Sequence, residues 1–267
     1  MSASTIPEEK YFIPFDSPIS FEQLPDRFTY PFNYTPHALS LLASEKLQVY
    51  LQEQEDWEHN FGLEEGQEGA VIGKMFGVLV VETIEKEIGY LAAFSGKLAG
   101  GYHQANFVPP IFDSLTEGSF LNIGMLELTR INQHIKELEA QLSDESIAKI
   151  ELLQEQRRNN SINLQNQLFD QYHFRNQVGE EKSLRTIFRE NANSKPPAGA
   201  GDCAAPKLLQ YAFQQNMRPL ALAEFWWGLS PKSAYWKHGH YYPACREKCE
   251  PILAHMLAGI ATDKRPD

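Results

Sequence analysis

The chain has little of what would mark several common protein classes. Cysteine is scarce: three in 267 residues, an odd number. That argues against a disulfide framework and for a reducing, cytoplasmic setting. No apolar run approaches the length of a membrane span. The polar start, MSASTIPEEK, has no leader pattern, so no membrane partner is expected. No internal repeat or low-complexity tract is visible. The loop Gly96 to Gly101 (GKLAGG) lacks P-loop spacing and its Lys-Ser/Thr ending, so it reads as a plain turn. Positive charge is also in short supply: 24 basic against 35 acidic residues, a net charge of −11. An acidic whole does not advertise nucleic-acid binding, and no DNA partner is expected.

What is present can fill a core. Apolar residues make up 42% of the chain, including 16 Phe, 11 Tyr and 4 Trp, so the chain is globular rather than disordered. The charge is uneven. Residues 1 to 122 carry 6 basic and 18 acidic groups, whereas residues 192 to 267 carry 9 and 6. Contact with phosphate should therefore fall on the later parts, where Arg157 and Arg158 lie among other basic residues that otherwise read as a solvated helix face.

In order, residues 1–35 are rich in Pro, Phe and Tyr and read as an extended arm pinned by its aromatics. Thr35-Pro36 reads as a helix start, with Leu39, Leu42, Ala43, Val49 and Tyr50 as its apolar stripe. Ala70 to Glu82 and Ile88 to Phe94 read as an antiparallel strand pair. From Ile123, a seam of Leu128, Ile131, Ile135, Leu138 and Leu142 predicts a helix. Ser143-Asp144 caps a second one, with Ile147, Ile150 and Leu153 and later Leu164, Leu168 and Phe169 apolar. The polar middle, QEQRRNNSIN, favours a protruding coiled hairpin. Lys182 to Arg189 reads as a short amphipathic helix.

All three cysteines fall in the last third, where two helices are expected to begin. Asp202 is a good N-cap and Pro206 suits a first turn, and the following Leu208, Leu209, Ala212 and Phe213 have helical spacing. Cys245 and Cys249 are four apart, on one helical face. Two readings stand. Free cysteines are usually small buried side chains. Alternatively Cys203, Cys245 and Cys249 are three thiolates for a metal, most plausibly Zn²⁺, with an open fourth position that His238 or His240 could fill. Helix starts favour the thiolate. Among the aromatics between them, Trp236, Tyr241 and Tyr242 are candidates to stack on unpaired RNA bases, as Trp226, Trp227 and Tyr235 also are, although at least one of the Trp226-Trp227 pair is expected in the core.

The runs PPAGAGDCAAPKLLQYAF, AEFWWG with SPKS, and HGHYYPACREKCEPILAHML resemble the N-terminal extension of a bacterial group of RluA-type RNA pseudouridine synthases, as do GVLVVE…GYLAAFSGKLAG and VPPIFD. In that group the extension precedes a catalytic domain that isomerises uridine in RNA without a cofactor. The catalytic His-Arg-Leu-Asp motif is nowhere in this sequence, so the resemblance implies an accessory part and no isomerase activity. It further implies ribosomal or transfer RNA and a downstream pseudouridine synthase domain as partners.

A second, architectural likeness is to zinc nucleobase deaminases, ordered helix, hairpin, ligand helix, strand, two-cysteine helix. It implies Cys203, Cys245 and Cys249 as ligands. Their proton-shuttle glutamate would stand where this chain has Ala205. Asp202 or Glu224 could substitute, but nothing in the sequence positions them, so an inactive zinc-stapled fold is expected. The expectation is thus an α/β (α+β) protein with a deaminase-like three-layer core over residues 36–122 and 192–267, and a helical coiled-hairpin insertion over 123–191. Its function would be RNA recognition, with a deaminase-like protein or a coiled-hairpin adaptor that binds protein as the other readings.

Overall fold

Small and β-branched apolar residues in unbroken runs give the chain its central strands. In the structure, a computed structural model describing residues 10–264 except 117, 142 and 193, strand β2 (Lys74–Glu82) turns back into β3 (Ile88–Phe94) as expected. They pair antiparallel, with Val80 opposite Tyr90. Strand β1 (Ile13–Pro14) adds to β3, and the late strand β6 (Arg218–Trp227) adds to the other side of β2. The order β1-β3-β2-β6 is antiparallel throughout. Leu142, and residues 1–9 of the expected arm, lie outside the described residues.

Helices cover both faces of β2. On one face Phe76, Val78 and Val80 pack with Phe225 and with Leu39, Ala43, Leu47 and Leu51 of helix α1 (Ala38–Glu53). Burying each such side chain stabilises by about 1.5–3 kcal/mol. The helix begins later than Thr35-Pro36 suggested, because His37 is its cap: the His37 Nδ1 accepts the Leu39 N–H at 3.2 Å. Of the expected stripe, Leu42 and Val49 are exposed.

The other face receives helix α5 (Ala204–Gln214), in which Ala204 through Phe213 are all buried. The approach is close because Gly77 lacks a side chain. A Cβ there would meet the Cβ of Ala204 at 2.9 Å and Leu208 Cδ1 at 3.2 Å. Strand β6 tolerates Pro219, which has no N–H to give, at a register slip against β2 between Val80 and Val81. Its outer edge is covered by the aromatic arm: Thr29 Oγ1 accepts the Leu222 N–H, and Tyr34 Oη accepts the Glu224 N–H at 2.8 Å.

The chain divides into two compact units, Met1–Ile111 with His173–Asp267, and Phe112–Tyr172. The first therefore also holds β4 (His173–Arg175), β5 (Glu181–Ser183) and α4 (Leu184–Ala192). The insertion is accordingly shorter than the expected 123–191, because Phe174, Leu184, Ile187 and Phe188 are buried core residues. The last helix, α6 (Arg246–Met256), is tied to β4 by His255 Nε2 and the Phe174 carbonyl at 2.9 Å.

The second unit is a hairpin of α2 (Phe120–Glu139) and α3 (Asp144–Gln171), capped by Ser119 and Ser143. Ile131, Ile135, Leu138, Leu164 and Phe169 are buried in it. Gly124 lets the helices approach, since a Cβ there would lie 2.5 Å from Leu164 Cδ1. At the open end the rings of Phe112 and Tyr172 meet at 6.0 Å. Ile147, one of the apolar residues that open the second helix, is 55% exposed. No helix among the described residues is long and apolar enough to cross a membrane.

Candidate metal centre

Cys203 and Cys245 are the N-caps of α5 and α6, and neither side chain makes a capping hydrogen bond. The expected cap, Asp202, lies one residue too early. A sulfur is a weak acceptor, so the caps leave both thiols to other business. They meet: Cys203 Sγ lies 3.9 Å from Cys245 Sγ, and Cys245 Sγ lies 3.4 Å from Cys249 Sγ one turn into α6. All three sulfurs fall within 4.8 Å of one another. A tetrahedral zinc, with Zn–S of about 2.3 Å, sets its sulfurs roughly 3.8 Å apart. The cluster brackets that spacing, so Cys203, Cys245 and Cys249 fit three positions of a metal site.

The electrostatics suit a cation. Contact with the sulfur of Cys203, then with that of Cys249, holds Cys245 well below the ordinary thiol range, helped by the Lys248 and Cys249 amides at the start of α6. Contact with Cys245 holds the Cys203 thiol high, and the neighbouring sulfurs and burial do the same for Cys249. Three sulfurs thus share one readily lost proton, and a metal ion displaces the rest.

Among the described residues no histidine, aspartate or glutamate joins this group. His238, proposed as a fourth ligand, is held elsewhere. Its Nδ1 accepts the Gly228 N–H at 3.0 Å and its ring sits edge-on to Trp227 at 4.3 Å. His240 is exposed and joins β6 through its carbonyl, which accepts the Trp226 N–H at 2.9 Å. The loop 238–242 pairs with the edge of β6, and this carries both rings away from the sulfurs.

Two buried charged residues flank the cluster. Glu224, on β6 opposite Gly77, is 4% exposed. Its Oε1 accepts the Ala205 N–H at 3.3 Å, so a strand residue supplies the carboxylate cap that Cys203 does not. Burial, then the charge of Cys245, pushes its carboxyl up to about 8, against the pull of the Ala205 amide. Lys207, one turn along α5 from Cys203, is 2% exposed and donates to the carbonyls of Phe94 at 3.0 Å and Gly96 at 3.2 Å. Burial lowers it to about 8, opposed by Asp202 and Cys203. A lone charge within each apolar run, LALAEFWW and AAPKLLQYAF, was the signal in the sequence. Tyr34 completes the surround: its hydroxyl donates to the Tyr242 carbonyl at 3.1 Å, and burial raises its phenol far above the usual range.

Of the residues expected to touch RNA, Trp236 and Tyr242 meet each other within their own loop. Trp236 stacks on Trp226 at 5.1 Å and meets Tyr242 at 4.7 Å. Tyr242 is buried, donating to the Tyr235 carbonyl and accepting the Lys237 N–H, both at 2.8 Å. Tyr241 packs on Phe225 at 6.1 Å. These aromatics largely hold their own loop, with Tyr235 exposed. Trp227 is buried, as expected for one of its pair. Arg157 and Arg158 lie exposed on the separate hairpin unit, where Arg157 Nη1 donates to Asn132 Oδ1 at 2.9 Å.

No protein-family model, curated protein or solved structure matches the chain.

Proposed function

We propose that the chain is a zinc-stapled, deaminase-like α/β module that serves RNA modification as the non-catalytic recognition part of an RluA-type pseudouridine synthase. One observation carries this reading. Three of the segments on which the resemblance rests meet here: Cys203 comes from the first, Cys245 and Cys249 from the third, and Glu224 of the second accepts the Ala205 N–H of the first. The element order supports the deaminase-like part: helix α1, hairpin β2–β3, ligand helix α5, strand β6, ligand helix α6. When bound, zinc would supply a structural clamp between α5 and α6. Exposed Arg157 and Arg158 on the hairpin and exposed Tyr235 beside β6 are the chain's offer to phosphate and base.

The test is paired. Zinc content of the purified chain is measured with and without Cys203→Ser. Binding to ribosomal and transfer RNA is then followed across a salt series. Stoichiometric zinc lost in the variant, with salt-dependent RNA affinity above that of an acidic control protein, supports the reading. Affinity no better than the control overturns its RNA half.

Glu224 favours a second reading, a zinc-dependent deaminase acting on a nucleobase, because a carboxyl lies beside Ala205 even though none is encoded there. Ammonia release from cytosine- or adenine-bearing substrates by the zinc-loaded chain, abolished in Glu224→Gln, would replace the non-catalytic reading with this one.

A further inference from the structure

Helix α1 ends against a cavity of about 590 Å³, lined by its last turn, by the loop that follows and by Trp227 of β6. Small-molecule sites span roughly 300–1,000 Å³, so the volume suits one. The cavity adjoins the core on the face of the sheet that α1 covers, whereas α5 covers the other.

Much of the lining is aromatic. Phe61 and Trp227 are buried, with Trp57 and His59 half-buried beside them. Trp57 crosses Phe61 at 75° and His59 crosses it at 57°, with centroids 6.2 and 4.5 Å away. Rings inclined in this way line a space from several directions rather than as one flat wall. They are also held in place. The Gln54 side chain clasps the Trp57 backbone, accepting its N–H at 3.2 Å and donating to its carbonyl at 3.1 Å. Asn60 donates to the carbonyls of Gln67 and Gly69 and accepts the Gly62 N–H. The Phe61 carbonyl accepts the Leu229 N–H at 2.8 Å. Such a preformed loop spares a ligand the cost of ordering it.

The charge around these rings is negative. Glu55, Glu58 and Glu64 line the cavity, all exposed and, among the described residues, none in an ion pair. The last turn of α1 carries no basic residue, so the negative end of its dipole adds to theirs. Burial holds His59 and His238 below the ordinary imidazole value, so near neutral pH neither ring brings an opposing charge. Lys74 is near enough to depress His59 further but does not line the cavity. Three carboxylates against one ammonium leave the site negative. Aromatic faces attract a cation, and most when it is desolvated. A metal ion or a primary ammonium needs oxygen acceptors close around it, and these carboxylates stand in solvent.

We propose that this cavity binds a small organic cation with an N-methylated ammonium group. The rings of Trp57, Phe61 and Trp227 meet its methyl groups, and Glu55, Glu58 and Glu64 supply the opposite charge. The inference depends on neither the metal reading nor the RNA reading.

The experiment is isothermal titration of the full chain with three probes: choline, its uncharged analogue in which a quaternary carbon replaces the nitrogen, and calcium. Choline is expected to bind roughly tenfold tighter than the analogue, the scale of a desolvated cation–π contact. Trp57→Leu removes one ring and should weaken choline by a similar factor. The combined variant Glu55→Gln, Glu58→Gln, Glu64→Gln keeps the test open should Trp57→Leu fail to fold, because exposed, unpaired side chains contribute little to the fold. It should weaken choline several-fold and leave the analogue unchanged. Choline bound no tighter than its carbon analogue overturns the proposal. So does calcium bound in preference to choline, since the carboxylates and not the rings would then make the site. Unchanged choline affinity in the glutamine variant overturns it as well.

Discussion

A methyl group at Gly77 would stand 2.9 Å from the Cβ of Ala204, the first residue of α5. The distance at which α5 rides over the sheet, and so the height of Cys203 above it, is set by a missing side chain on β2. Gly77→Ala should force the first turn of α5 outward, at an overpacking cost of about 1–3 kcal/mol. A lowered Tm together with weaker zinc retention against a chelator is the expected result. A lowered Tm with unchanged zinc affinity would show that the helix tilts without moving Cys203.

The sulfurs should differ in reactivity. In the metal-free chain Cys245 is exposed and favours its thiolate, whereas Cys203 and Cys249 keep their protons. Iodoacetamide near neutral pH is therefore expected to label Cys245 first. Peptide mapping by mass spectrometry reads the order, and zinc should protect all three. Labelling of buried Cys249 ahead of Cys245 would contradict the arrangement.

Cross-strand pairing gives a pH signature far from the metal. Glu82 on β2 faces Arg218 on β6, which donates through Nε at 2.7 Å, and Lys86 adds an ion pair at 2.9 Å. Burial alone would raise the Glu82 carboxyl, but Lys86 and Arg218 outweigh it and hold it below its ordinary 4.5. A depressed acid stabilises the fold above the unfolded value, and that contribution fades as pH falls through the folded value. Glu82→Gln should thus lose about 0.5–1 kcal/mol at neutral pH, a modest figure because Arg218 is half exposed. Urea midpoints of the two proteins should converge in acid.

Lys207→Met tests the buried lysine. The substitution conserves length and removes a buried charge, which helps, but leaves the carbonyls of Phe94 and Gly96 without their donor. Each orphaned buried acceptor costs about 1–3 kcal/mol. A net loss of roughly 2 kcal/mol is expected, read by chemical denaturation. An unchanged midpoint would mean that the two carbonyls find water.

Much of the α/β core was legible because its signals are local. The runs GVLVVE and GYLAAF could only be strands, and the apolar face of α5 announced itself from Leu208 to Phe213. Cys203 and Cys245 were legible as helix starts and Cys249 as one turn further along the same face, but only the fold shows that the three sulfurs lie within 4.8 Å of one another. What could not be read depends on contacts across the fold. His238 and His240 lie near Cys245 in sequence, but the β6 edge captures their loop by its free N–H and C=O groups. Glu224 gains its role only because β6 passes beside the first turn of a helix that precedes it. The start of α1 moved because an imidazole, unusual as a cap, took the work of Thr35. Ile147 is apolar yet faces outward, as the early part of α3 buries only Ser146.

The aromatic pair Phe112 and Tyr172 closes the open end of the helical hairpin, so that this unit begins and finishes at nearly one point. Its length is then free to drift. Adding or removing whole turns from both helices together leaves the two ends where they were, and lengthening a loop costs only logarithmically. The hairpin can thus change length by whole turns while its first and last residues keep their places.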